Sequence, residues 1–226
     1  PRPIDLHIKG LTQLGAKIIT RHGYVIAEAT KLKGKQISLI GQFGSSVGAT
    51  VNVILASVKA EGTTIIQGAA CEPDVVDLVQ FLKKMGAKIE GEGSPTLKIK
   101  GVKTLHGAEH IVNPDRIETG TYMIAAAITG GSLVLRNTNP SLLESVIDKL
   151  RQTRLNISVK NDSISVKVTK KLIPADITTL PYPGFPTDLQ AQYMALMSVT
   201  EGSSVIVEKI YPDRFMHVGE LTRLGA

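Results

Sequence analysis

A repeat with a period of about 70 residues constrains this chain more than any other feature. The stretch Gln13-Leu14-Gly15-Ala16-Lys17-Ile18 returns as Lys84-Met85-Gly86-Ala87-Lys88-Ile89, more weakly as Thr153-Arg154-Leu155-Asn156-Ile157, and again as Arg223-Leu224-Gly225-Ala226. The marker position falls at 15, 86, 154 and 225, so successive copies stand 71, 68 and 71 residues apart. A second marker keeps the same step: Glu61-Gly62-Thr63-Thr64-Ile65, Gly130-Gly131-Ser132-Leu133-Val134 and Glu201-Gly202-Ser203-Ser204-Val205. Two markers on one period describe an architecture whose units cannot bury their apolar faces alone.

Each unit reads the same way. Two short alternating strands follow the small-residue turn, as at 16–20 and 24–27 around His22-Gly23. A loop then leads into a small-residue helix (47–60, 117–129 and 188–200), and the Gly marker is expected to end that helix. A β-branched strand comes next (63–66, 133–135, 205–207), and then a Pro-containing loop into an amphipathic helix, clearest at 74–84. Apolar residues on most faces of the small-residue helices place them in each unit's core. The result is an α/β fold with helices covering sheets. The most plausible junction lies near Val112–Pro114, giving domains 1–113 and 114–226. The count is about 3.2 units, with each end inside a unit and no initial Met. This predicts a piece of a longer protein with both domains incomplete.

Composition narrows the function. Aromatics make up 4% and Trp is absent, so Ala, Val, Ile and Leu must fill the interior. No apolar run reaches the roughly 18 residues of a membrane span, and the first residues lack a signal-peptide pattern, so no membrane insertion is expected. The lone Cys71 excludes an internal disulfide framework and fits a reducing cytosol. A net charge of +6 favours an anionic partner. The basic residues are scattered, however, and no aromatics are interleaved with them, which argues against nucleic acid. Histidines 7, 22, 106, 110 and 217 form no HExxH motif or Cys/His cluster, so no metal is expected.

Two sets of equivalent loops could carry chemistry. Ahead of the small-residue helices lie Gly44-Ser45-Ser46-Val47-Gly48, Pro114-Asp115-Arg116-Ile117-Glu118 and Pro186-Thr187-Asp188. Small polar residues there either cap the helix or hold an anion at its start. Asp188 is thus a cap or a rigidly held carboxylate. Ahead of the amphipathic helices lie Cys71-Glu72-Pro73, Asn137-Thr138-Asn139-Pro140 and Tyr211-Pro212-Asp213-Arg214. There Glu72 either compensates a nearby base or faces a ligand, and Arg214 either pairs with Asp213 or faces a ligand.

At these residues the chain resembles the enolpyruvyl transferase family, and specifically its sugar-nucleotide branch. The matching stretches are RPIDLH (2–7), SVGAT (46–50), AEGTTII (60–66), PDRIETGT (114–121), FPTDLQAQ (185–192) and RFMH (214–217). The resemblance implies an inside-out α/β barrel in two domains, each of three repeated units. It implies transfer of the enolpyruvyl group of phosphoenolpyruvate to the 3-hydroxyl of UDP-N-acetylglucosamine with release of phosphate. That reaction is the first committed step of peptidoglycan synthesis, and hence of cell-wall biogenesis, cell shape and division, in the cytoplasm. It needs no cofactor, and its partners are these two small molecules. By the same resemblance, Arg2, Pro3, Ile4, Asp5 and Leu6 line the uridine and phosphate site, and Ser46, Val47 and Gly48 continue it beside the diphosphate. Asp188 contacts the sugar 3-hydroxyl as general base, Ile210 makes a backbone contact, and Glu72, Arg116 and Arg214 are charged cleft residues.

Three departures qualify the match. The family's reactive loop cysteine (aspartate in some members), which fosfomycin alkylates, lies upstream of Arg2, and Cys71 does not correspond to it. The Lys, Asn and Arg that grip phosphoenolpyruvate are also absent. Gly44 stands where many members carry Lys. Another enolpyruvyl transferase and a non-catalytic anion- or RNA-binding repeat protein are the competing readings.

Overall fold

The computed structural model describes residues 3–226, which fall into two compact units, one ending at Val112 and the other spanning Asn113–Ala226. The first contains α1 (Asp5–Gln13), the hairpin β1 (Lys17–Arg21) and β2 (Tyr24–Glu28), then β3 (Gln36–Ser38), α2 (Val47–Ser57), β4 (Thr63–Gln67), α3 (Pro73–Lys84), β5 (Lys88–Glu90) and β6 (Thr96–Lys100). Its main sheet runs β3-β4-β6-β5, with β3 and β4 parallel and the other pairs antiparallel.

The second unit contains α4 (Arg116–Ile128), β7 (Ser132–Leu135), α5 (Glu144–Gln152), β8 (Asn156–Lys160), β9 (Ser163–Lys167), β10 (Ile177–Thr178), α6 (Gln190–Ser198), β11 (Ile206–Val207) and α7 (Val218–Arg223). The sheet β7-β9-β8 repeats the order β4-β6-β5, and β10 pairs with β11 in parallel as β3 pairs with β4. The sequence period is therefore a period of strand pairing.

The first marker has one physical meaning in all four copies. Gly15, Gly86, Arg154 and Gly225 have φ of +105°, +97°, +68° and +96°. After α1, the N–H groups of Gly15 and Ala16 return to the carbonyls of Thr12 and Leu11 at 2.9 and 3.0 Å. After α3, Gly86 and Ala87 return to Lys83 and Leu82 at 3.0 and 2.9 Å. These paired bonds close a helix on a left-handed residue, which glycine adopts without the Cβ penalty. Arg154 is the exception, an exposed side chain in the same conformation.

The second marker departs from expectation. Only in the middle copy does a glycine follow the helix directly: Gly130, at φ +67°, comes just after Thr129, the C-cap of α4. The small-residue helices of the other copies end earlier, at Ser57 and Ser198, and Gly62 and Gly202 turn the chain into the next strand. The burial of these helices is also one-sided. On α2, Ala49, Val53 and Ile54 are buried, while Leu55 is 47% exposed. On α4, Met123, Ile124 and Ala127 are buried and Tyr122 is exposed.

Two separate cores result. The first gathers Leu14, Ile37, Leu39, Val53, Ile54, Ile66, Val79, Leu97 and Ile99. The second is built around Met123, Leu143, Leu150, Ile164, Leu189 and Leu196, with Tyr193 fully buried at its centre. Tyr193 donates its hydroxyl to the Ala175 carbonyl at 2.8 Å and meets the Phe185 ring edge-on at 5.5 Å. Each large aliphatic side chain so buried contributes on the order of 1.5–3 kcal/mol.

Substituting Arg154→Gly is expected to stabilise the protein by about 1 kcal/mol, because the left-handed backbone then carries no side chain. The reverse change at the equivalent turn, Gly86→Ala, is expected to cost about 1 kcal/mol or more. Its new Cβ would also stand 3.2 Å from the His106 ring. The urea midpoints of the two variants should move in opposite directions.

Candidate functional site

In the first unit, two motif segments about 40 residues apart in the chain meet at the starts of α1 and α2. Helix α1 lies so close to α2 that a Cβ on Gly10 would stand 2.3 Å from Val53 Cγ2. That approach brings His7 to the head of α2, where its Nδ1 lies 2.8 Å from Asn52 Nδ2 and its ring would stand 3.0 Å from a Cβ at Gly48. Leu6 packs likewise against Gly41. Ser46 is the N-cap of α2, its hydroxyl accepting the Ala49 N–H at 3.3 Å. Pro3, Ile4, Asp5, Val47 and Gly48 are exposed around this corner. Arg2 lies outside the described residues. Gly44 closes a tight turn with Gly41 at φ +96°, a conformation that a lysine would enter only with strain.

The adjoining Cys71-Glu72 loop follows β4. Burial, reinforced by the Glu72 charge, pushes the Cys71 thiol up from its ordinary value, so it is a poor nucleophile at neutral pH. Glu72 starts α3 with its backbone, its carbonyl accepting from Val75 and Val76 at 2.9 and 3.2 Å. Its Oε2 is buried with no hydrogen-bond partner among the described residues. Among the described residues no base pairs with Glu72, and α3 carries its own lysines, Lys83 and Lys84, at its far end.

In the second unit, the 183–192 segment enters α6 through a short 3-10 turn, Thr187–Leu189. Neither Thr187 nor Asp188 caps a helix, contrary to one of the two sequence readings. Arg214 Nη1 donates to Asp188 Oδ1 at 2.7 Å and to the Thr187 carbonyl at 2.9 Å. Arg214 thus pairs with Asp188 rather than with its neighbour Asp213, because the loop after β11 folds back over the turn. The Asp188 side chain is 54% exposed, and its Oδ2 makes no hydrogen bond among the described residues. A carboxylate fixed through one oxygen and open at the other can accept a proton from a bound hydroxyl.

The turn is also held from the other side. The Thr187 hydroxyl donates to Glu208 Oε2 at 2.9 Å, and Oε1 accepts from Thr179 Oγ1, Ile210 N and Tyr211 N at 2.7, 2.8 and 2.9 Å. The Ile210 N–H is occupied in this way, so a backbone contact from Ile210 to a ligand falls to its carbonyl. His217 sits three residues beyond Arg214; burial, and then the Arg214 charge, hold its imidazole below the ordinary value. At the start of α4, Asp115 is a true cap, accepting from Ile117 and Glu118 at 2.8 and 3.0 Å. Arg116 behind it is buried, its guanidinium 6.0 Å from the Tyr182 ring centroid.

Sequence reasoning missed Glu208, Thr179, His7 and Asn52. The one available signal was a carboxylate directly after the β-branched strand 205–207, two residues before Ile210. Among the described residues, no cluster of three or more metal-ligating side chains is present, and no helix is long and apolar enough to cross a membrane.

The family model described as EPSP synthase (3-phosphoshikimate 1-carboxyvinyltransferase) matches residues 1–226. UDP-N-acetylglucosamine 1-carboxyvinyltransferase 1 of Caldanaerobacter subterraneus subsp. tengcongensis is 54% identical over 225 residues, covering 100% of this chain and 54% of the relative. The UDP-N-acetylglucosamine 1-carboxyvinyltransferase of Koribacter versatilis is 51% identical over 225 residues, with 100% and 51% covered. The chain thus spans about half the length of the curated relatives it matches. Among solved structures, the enolpyruvyl transferase NikO from Streptomyces tendae superposes with a TM-score of 0.87 at 26% identity, over 99% of this chain and 55% of that one. EPSP synthase from Acinetobacter baumannii gives 0.64 at 25% identity, over 91% and 48%. The repeated α/β units and the match along the whole chain agree: the chain belongs to the EPSP synthase family of enolpyruvyl transferases.

Proposed function

We propose that the protein to which these residues belong transfers the enolpyruvyl group of phosphoenolpyruvate to the 3-hydroxyl of UDP-N-acetylglucosamine, releasing phosphate. The reaction would serve peptidoglycan synthesis in the cytoplasm, and through it cell-wall biogenesis, cell shape and division. The observation that carries this reading is the 50–54% identity to transferases of that name along the whole chain. The Asp188–Arg214 pair supports it, because it supplies the half-open carboxylate that a hydroxyl acceptor needs.

Asp188 takes the 3-hydroxyl proton as general base while that oxygen adds to C2 of phosphoenolpyruvate and C3 gains a proton; loss of a C3 proton then expels phosphate from C2 and restores the double bond. Arg214 aims the carboxylate and adds positive charge beside an anionic substrate. In the first unit, residues 2–6 and 46–48 form the corner that receives the nucleotide, with the free N–H groups at the head of α2 facing its phosphates. Glu72, Arg116 and Arg214 act as the charged residues of the cleft. The reaction itself requires no metal or organic cofactor. Domains 1–113 and 114–226 correspond to parts of the nucleotide-side domain and of its companion. Fosfomycin would act upstream of Arg2, if the loop there carries cysteine.

The full-length protein should release phosphate from phosphoenolpyruvate only when UDP-N-acetylglucosamine is present, and shikimate 3-phosphate should not replace it. Turnover with shikimate 3-phosphate instead would overturn the assignment in favour of the other branch of the family. Asp188→Ala is expected to lower kcat by about 100-fold or more, the usual effect of losing a general base. Residues 1–226 alone are expected to release no phosphate from both substrates; measurable release would show that they hold a complete site.

A further inference from the structure

One side chain of the second unit gathers more of the site than any residue of the recognised motifs. Glu208 lies just after β11 and uses both carboxylate oxygens. It accepts four hydrogen bonds, from the hydroxyls of Thr179 and Thr187 and from the backbone N–H groups of Ile210 and Tyr211, all between 2.7 and 2.9 Å. The fully buried Thr179 closes the ring by accepting the Lys209 N–H at 3.0 Å. The donors come from three places: the end of β10, the entry to α6, and the loop leading to Arg214.

We infer that Glu208 is the positioning residue of the acceptor site, the group that sets the Asp188 carboxylate and the Ile210 backbone in register for an acceptor alcohol. This rests on the function proposed above. The geometry makes the coupling direct. Glu208 holds the Thr187 turn by its side-chain hydroxyl, while Arg214 holds the same turn by the Thr187 carbonyl and the Asp188 carboxylate. Ile210 and Tyr211, which carry the chain to Arg214, are bound to the same carboxylate. Releasing Glu208 therefore frees Asp188 and its arginine together.

The chemistry calls for a carboxylate. Four donors converge on one group, and ionised carboxylate is the side chain that accepts at all of its sites. Glutamine keeps one acceptor oxygen for Thr179, Ile210 and Tyr211 but presents an N–H₂ to Thr187, whose hydroxyl must turn to accept. Aspartate is one methylene shorter and cannot span the same donors. A graded series follows, with Glu best, Gln intermediate, and Asp and Ala worst.

The test uses the full-length protein and steady-state kinetics with each substrate varied in turn. Glu208→Ala is expected to raise KM for UDP-N-acetylglucosamine and to lower kcat, each by about tenfold or more, as misplacement of reacting groups does. KM for phosphoenolpyruvate should stay within twofold. Glu208→Gln should recover part of the loss. Thr187→Val, which removes only the Oε2 contact, should lower kcat in a protein of unchanged melting temperature, and should add little to Glu208→Gln. If Glu208→Ala fails to fold, the Thr187→Val and Glu208→Gln variants and their double mutant decide the matter. Equal losses for both substrates, or values within twofold of wild type in folded variants, would overturn the positioning role. Wild-type protein that turns over neither acceptor overturns the proposed function itself, a result separable from normal turnover with indifferent Glu208 variants.

Discussion

Every amphipathic helix that opens or closes a unit in this chain is stopped by a residue held at positive φ. That constraint comes before the rest of the fold. The reversal at Gly15, Gly86 and Arg154 ends one helix and sends the next strand back along it, and Gly225 ends α7 in the same conformation. In three of the four copies, the residue after the stop donates to a carbonyl five positions earlier, which fixes the angle of exit. With that angle fixed, the hairpins β5-β6 and β8-β9 fall onto β4 and β7 in the same order. Packing then has little choice, since the buried side chains of each strand pair face the same pair of helices. Arg154 shows that the geometry is imposed by the surroundings: Leu150 and Leu155 on either side are buried, and the strain is carried between them.

The site is built on this frame by loops and not by the elements themselves. In the first unit, two helix heads approach because Gly10 lets α1 and α2 touch, and the segments 3–7 and 46–48 are brought to one corner. In the second, the turn at Thr187 and Asp188 is gripped by a base on one side and an acid on the other. Arg214 and Glu208 occupy neighbouring loop positions, six residues apart in the chain. Their charges are opposite, as are the polarities of the groups they hold: Arg214 binds a carbonyl and a carboxylate, Glu208 binds hydroxyls and N–H groups. A carboxylate clamped in this way has little conformational freedom left to lose.

Much of the architecture was legible beforehand. Strand and helix positions follow from periodicity and turn chemistry, and these act over a few residues. The α/β units, the hairpin around His22-Gly23, and the amphipathic helix at Pro73–Lys84 all stand within a few residues of expectation. The boundaries of the small-residue helices were less legible. Apolar residues on most faces suggested long, wholly buried helices, yet Leu55 and Tyr122 face outward and the glycine marker ends only α4 directly. Burial of a face depends on what lies across it, and local pattern carries no information about that.

The same division separates the site residues. Ser46 and Asp115 are caps, as short oxygen side chains before a helix suggest, because a cap needs only the N–H groups two or three residues ahead. Thr187 and Asp188 carry the same signal and do something else. Their partners, Glu208 and Arg214, come from 21 and 26 residues away in the chain. By itself, then, the sequence determined the repeat, the order of elements and the family motifs, since each of these is written in neighbouring residues. Only the tertiary structure decided that Asp188 is an ion-paired carboxylate with one open oxygen, and that Glu208 stands behind it. Competition between a nearby backbone N–H and a distant guanidinium is settled by which of them the folded chain brings within hydrogen-bond reach.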